Sequence, residues 1–153
     1  MRKRISLFII LVLTAMGCVF CLGMDRNPKQ NSAVNKEEYK DSVEEALFNF
    51  EKVYQRRNVQ EFMDLLDEDF EVRLEFIDRL QSHFLAVKEL EIHFVIDSVL
   101  SAGDKINVRL HWFKKTVDNS GVFNKSQGNS QFTFKSYPKG LKLFSIRQDN
   151  PFF

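Results

Sequence analysis

The hydrophobic period of this chain changes once, near residue 90, and that change restricts the fold more than any other feature. Before it, apolar residues recur every three or four positions. Val43, Ala46, Leu47, Phe50 and Tyr54 mark one face of a helix. Asp41 or Ser42 can cap it, with Glu44 and Glu45 in the first turn, where the helix dipole favours negative charge. Arg56-Arg57-Asn58 breaks the pattern. Val59, Phe62, Met63 and Leu66 form a second, shorter stripe, and Asp67-Glu68-Asp69 reads as its solvated end. Phe70, Leu74, Ile77, Leu80, Phe84 and Val87 predict a third helix.

After residue 90 the period is two. Leu90, Ile92, Phe94, Ile96 and Ser98 alternate with Glu91, His93, Val95, Asp97 and Val99. Beyond Ser101-Ala102-Gly103-Asp104, Ile106, Val108, Leu110 and Trp112 alternate with Asn107, Arg109, His111 and Phe113. A one-residue slip would turn apolar side chains against polar ones. The two runs therefore predict a hairpin pairing Phe94 with Trp112, Ile96 with Leu110 and Ser98 with Val108. That register sets Asp97 against Arg109 as a cross-strand ion pair and needs an odd loop of three or five residues around Gly103.

Asp118-Asn119-Ser120-Gly121 is a turn signal. Gly128 marks a candidate bulge before a strand from Ser130 to Ser136. Tyr137-Pro138-Lys139-Gly140 fits a tight turn. The last strand, Leu141 to Arg147, is apolar on both faces, with Leu141 and Leu143 on one and Phe144 and Ile146 on the other. Something must then cover the outer side of the sheet, and a second subunit is one candidate. Helices followed by an antiparallel meander predict an α+β architecture, with the helices on one face of a curved sheet.

The N-terminus carries a delivery signal. Arg2-Lys3-Arg4 precedes an apolar run from Ile5 to Val12, and small residues follow, as in a secretion signal. Ala15-Met16-Gly17-Cys18 resembles the bacterial lipoprotein signal, which implies lipid on Cys18 as the first mature residue. Met16 and Ala15 depart from that pattern. Two other readings stay open: ordinary cleavage after Gly17 or Gly23, and an uncleaved anchor from Ile5 to Leu22, just long enough to span a bilayer. All three put the body outside the cytoplasm, in the bacterial cell envelope. The chain thus divides into a signal at 1–17, a polar tether at 18–40 and a folded domain at 41–153.

Composition narrows the function classes. Without residues 1–17 the chain keeps 19 basic and 21 acidic residues, and nothing in it forms the basic stripe of a nucleic-acid-binding protein. Cys18 and Cys21 are its two cysteines, so the domain relies on its core and not on disulfides. Sixteen Phe against three Tyr and one Trp predict a Phe-packed core or an apolar cavity.

Asp41 to Phe153 is similar to the nuclear transport factor 2-like superfamily, a cone-shaped, cystatin-like α+β fold. Four features carry the resemblance. The first is Tyr54-Gln55-Arg56-Arg57-Asn58 with Phe62, Leu65, Leu66 and Asp69-Phe70 after it. The second is the strand Val108 to Trp112. The third is Gln131-Phe132-Thr133-Phe134 with Leu143-Phe144-Ser145-Ile146, and the last is Asp149-Asn150-Pro151-Phe152. The resemblance implies a cone mouth for a small apolar ligand and an outer sheet face that forms dimers. It also includes isomerases and dehydratases.

Acid–base chemistry in such a pocket needs a carboxylate or His facing inward. The inward faces of the two registered strands offer neither, so no catalytic residue and no cofactor are expected. Tyr54, His83 and Trp112 are the candidate ligand-binding residues. His83 stands beside Phe76, Leu80 and Val87 at helical spacing, and Trp112 offers an indole N–H. His93 and His111 fall on the polar outer face with Asp97 and Arg109, diagonal to each other, and no metal site is expected. The expectation is a membrane-tethered, non-catalytic domain that binds a small apolar ligand or a protein partner. The alternative is an isomerase, dehydratase or hydrolase acting on a small hydrophobic substrate through His83.

Overall fold

The computed structural model describes residues 29–153, with side chains from Tyr39 onward. Cys18, the signal and the tether up to residue 28 lie outside them. Three helices, α1 (Lys29–Gln55), α2 (Val59–Leu65) and α3 (Arg73–Ala86), precede four strands, β1 (Val87–Ala102), β2 (Lys105–Asp118), β3 (Phe123–Tyr137) and β4 (Gly140–Gln148). The strands form one antiparallel sheet in chain order. The α+β class and the order of elements are as expected. Among the described residues no helix is long and apolar enough to cross a membrane.

α1 begins at Lys29, well before the expected cap at Asp41 or Ser42. Lys29 to Lys40 contains no Gly or Pro and several good helix formers, so the helix continues N-terminally without an apolar stripe. From Val43 the stripe is as read: Val43, Leu47, Phe50 and Tyr54 are buried. Asn58 accepts a hydrogen bond from Glu61 N (3.1 Å) and caps α2. Val72, in the left-handed region (φ 50), delays α3 to Arg73. That delay turns Leu74 to solvent (80% exposed) and buries Phe76, Ile77, Leu80 and Phe84. Phe70 is buried from the preceding turn.

Asp67 corrects the reading of the acidic group. It is 1% exposed and accepts hydrogen bonds from Lys135 Nζ (3.0 Å), Tyr137 Oη (2.6 Å) and Asp69 N (3.0 Å). Its own N–H donates to Leu143 O at 2.8 Å. The link between α2 and α3 is thus fastened to β3 and β4.

Phe94 pairs with Trp112 and Ile96 with Leu110, as expected. One residue is then extra: Ser98 faces Arg109 and Val99 faces Val108. This bulge changes the parity of the hairpin, so a two-residue turn at Gly103-Asp104 replaces the odd loop. Asp97 accordingly meets His111 Nδ1 (2.9 Å) and not Arg109. Val99, expected outside, is buried. A second bulge between Leu143 and Ser145 lets Leu143 and Ile146 both face the core, opposite Phe134 and Phe132. Phe144 stays outside, capped by Lys105 Nζ at 4.3 Å and Lys135 Nζ at 4.5 Å from its ring centroid. These two lysines cover the Phe144 ring. The outer face still carries Val95, Leu100, Phe113 and Phe123, all 43–60% exposed.

Gly128 sits in a regular stretch opposite Trp112, not in a bulge. A Cβ there would lie 2.6 Å from Trp112 Cζ2 and 2.8 Å from Asp149 Oδ2. Glycine is needed for close approach, not for bending. α1 shields the unpaired edge of β1: Phe94 N donates to Glu51 Oε1 (2.7 Å) and Gln55 Nε2 donates to Ile92 O (3.4 Å).

Candidate functional site

Phe152 decides how the inside of the cone is filled. It is fully buried, and six aromatic rings surround it: Phe50, Tyr54, Phe62, Phe76, Phe94 and Phe132, at centroid distances of 4.9–6.1 Å. Tyr54 Oη donates to Phe152 O at 3.0 Å. Phe152 N donates to Asn150 Oδ1 at 3.0 Å. The Phe surplus thus forms an aromatic core closed by the C-terminal segment. Phe153 follows at the surface of this core, against Phe76 (5.1 Å) and under the Arg79 guanidinium (4.1 Å).

Two further polar residues are His83 on α3 and Lys114 on β2. His83 lies one turn beyond Arg79 on the same side of α3. Its ring is parallel to Tyr54 at 6.2 Å and neighbours Phe84 at 6.4 Å. His83 Nε2 is buried and has no hydrogen-bond partner among the described residues. Burial pushes the imidazole down to about 4, and the charge of Lys114 adds to the effect. The ring is therefore neutral at pH 7, a hydrogen-bonding group and a weak base.

Lys114 is the residue that the sequence reading missed. The alternation of β2 runs one step past Trp112, so Lys114 points inward with Ile106, Val108, Leu110 and Trp112 and is only 8% exposed. No ion pair holds it among the described residues. Its Nζ lies 5.7 Å from the centre of the Trp112 ring. Burial pushes its ammonium down to about 8, so it is mostly charged at pH 7. The parity of β2 was the available signal: 106, 108, 110, 112 and 114 share one face.

Tyr54 and His83 stack on each other, and Tyr54 and Trp112 have their polar atoms engaged. The Tyr54 hydroxyl is held by Phe152, and burial pushes its pKa up. Trp112 Nε1 donates to Ser130 Oγ (3.1 Å), and Ser130 Oγ donates in turn to Asp149 O. Among the described residues His83 Nε2 is the buried polar atom left without a partner. His93 and His111 are on the outer face, bound to Glu91 (2.9 Å) and Asp97 (2.9 Å). Among the described residues no group of three metal-ligating side chains occurs.

A buried aromatic core under three helices, backed by a four-stranded curved sheet, defines the nuclear transport factor 2-like fold, and solved structures bear this out. A conserved protein from Planctomyces limnophilus superposes with a TM-score of 0.67 at 13% identity, covering 74% of this chain and 96% of its own. A nuclear transport factor 2-like superfamily protein from Salmonella enterica gives 0.65 at 10% identity, covering 75% and 92%. A protein of the same family from Streptomyces avermitilis, proposed to be a dehydratase, gives 0.62 at 15% identity, covering 72% and 95%. No protein-family model and no curated protein matches the sequence. The likeness is one of fold.

Proposed function

We propose that the chain is exported, held at a membrane through its N-terminus, and carries a non-catalytic domain that takes a small apolar molecule at the His83 end of the cone. The observation that carries the binding reading is the buried, unpaired Nε2 of His83 against the apolar walls of Tyr54 and Phe84. A buried polar atom without a partner costs free energy that a ligand group would recover. Phe152 fills the middle of the cone. The basic start, apolar run and Cys18 of the leader support export and tethering.

Mass spectrometry of the native protein, purified from membranes in a mild detergent, tests both parts. Diacylglyceryl mass on a chain beginning at Cys18, with a co-purified small molecule, is the expected result. An unlipidated chain beginning at Met24 would remove the tether. A second reading, an enzyme of the dehydratase kind, draws on the fold neighbour proposed to be one and on the same His83 nitrogen. It requires that His83→Ala abolish turnover of a hydrophobic substrate while the domain stays folded.

A further inference from the structure

We infer that the cavity between α1, the end of α2 and the β3–β4 turn is a seat for a short peptide with both ends free, its ammonium held by Glu45 and Asp64 and its carboxylate by Lys139 and Lys142. The seat shares no residue with Tyr54, His83 and Phe84, so the inference stands apart from the binding reading above.

The cavity encloses about 320 Å³, within the range of small-molecule sites. Its charged lining is divided by element. Glu45 comes from α1 and Asp64 from α2, whereas Lys139 lies in the β3–β4 turn and Lys142 on β4. None of the four makes an ion pair among the described residues. Exposed side chains elsewhere do close on each other: Lys40 reaches Glu44 at 3.5 Å and Lys115 reaches Glu91 at 2.9 Å. Here opposite charges line one space and stay apart across it. Such a space is complementary to a molecule positive at one end and negative at the other. A free amino acid carries both charges on one carbon, whereas a dipeptide sets them at opposite ends, as the cavity does.

The rest of the lining fits the body of a peptide. Ala46, Phe50, Leu65 and Leu141 supply apolar surface. Asn49, one turn beyond Glu45 on the same side of α1, offers an amide that can both donate to and accept from a peptide group. The sides of the cavity are fixed by contacts within the domain. Leu66 bridges to Leu143, and Asp67 N donates to Leu143 O at 2.8 Å, which ties the end of α2 to β4. Tyr137 Oη donates to Asp67 Oδ2 at 2.6 Å, which holds its ring at the hairpin side of the cavity. Phe50 packs on Phe62 at 5.3 Å and holds α1 against α2. A seat built in advance loses little ordering entropy on binding.

Equilibrium dialysis of the full chain in phosphatidylcholine vesicles, with empty vesicles as the baseline, tests the seat. The probes are alanyl-leucine, its N-acetyl form, its C-terminal amide and free leucine. Alanyl-leucine is expected to bind about tenfold more tightly than any of the other three. Glu45→Gln combined with Asp64→Asn should bring it level with the acetyl form. Lys139→Met combined with Lys142→Met should bring it level with the amide. Lys115→Met, outside the cavity, should behave as the parent. Circular dichroism melts show that each variant is folded. Equal binding of alanyl-leucine and its two blocked forms, or binding unchanged in both double variants, overturns the pairing of the charges. Leucine binding as tightly as the dipeptide overturns the peptide. Failure of alanyl-leucine to bind at millimolar concentration overturns the seat and leaves the His83 reading as it stands.

Discussion

At pH 7 the Lys114 ammonium, at the end of a side chain that is only 8% exposed, gives up part of its hydration. Lys114→Met, close in shape and without charge, should raise the stability of the domain by about 1–3 kcal/mol at pH 7, read from urea unfolding. The pH dependence follows from the same burial. Lys114 titrates near 8 in the folded protein and about 10.4 unfolded, so the unfolded chain holds more protons between these values. Stability should rise with pH across that window, and the rise should vanish in Lys114→Met. His83 titrates near 4 folded against about 6.5 unfolded. Its contribution is complete above pH 6.5 and is lost as pH falls toward 4. His83→Phe should flatten the unfolding profile in that range. Gly128→Ala belongs to the same scale: its methyl group would meet Trp112 at 2.6 Å, and thermal unfolding should show a clear loss of stability, on the order of 1–3 kcal/mol.

Among the elements, the junction of α2, α3 and the sheet depends on Asp67. Burial alone would raise the pKa of this carboxyl, but the bonds from Tyr137, Lys135 and the Asp69 amide outweigh it and hold it below the usual range. The stability this gives is present above the unfolded value of about 3.9 and is lost as pH falls through the lower folded value. Asp67→Asn removes the charge while Lys135 stays beside it, and should cost about 2–4 kcal/mol in urea unfolding. The acidic triplet was read as solvated because nothing in its local sequence announces a lysine and a tyrosine almost seventy positions away. The bulge at Asp97 was hidden for a similar reason. Ile96 and Val99 can both be buried only if the strand takes an extra residue, and burial of Val99 depends on what packs above it.

At the scale of the whole molecule, Phe152 joins helices and sheet. Phe152→Ala should cost about 3–5 kcal/mol, because six rings lose a shared neighbour. Tyr54→Phe should cost only about 1 kcal/mol, the net value of one buried hydrogen bond. Chemical denaturation of the two variants side by side measures both. A larger loss from Tyr54→Phe than from Phe152→Ala would show that the hydroxyl and not the ring anchors the C-terminal segment.

Three helices followed by an antiparallel meander could be read from the sequence because periods of 3.6 and 2 are local consequences of backbone geometry. The same holds for the pairing of Phe94 with Trp112, since one apolar face admits one phase. It also holds for the inward place of His83 and Trp112, each marked by apolar neighbours on its own element. Lys114 was within reach of that reasoning, but a charged residue ends an apolar pattern to the eye before it ends the strand. The tertiary structure alone decided the partners. Asp67 found Lys135 and Tyr137, Phe152 entered the ring cluster, and Lys114 turned inward on β2. Such contacts depend on distance in space, and the sequence pattern records only which way each side chain faces.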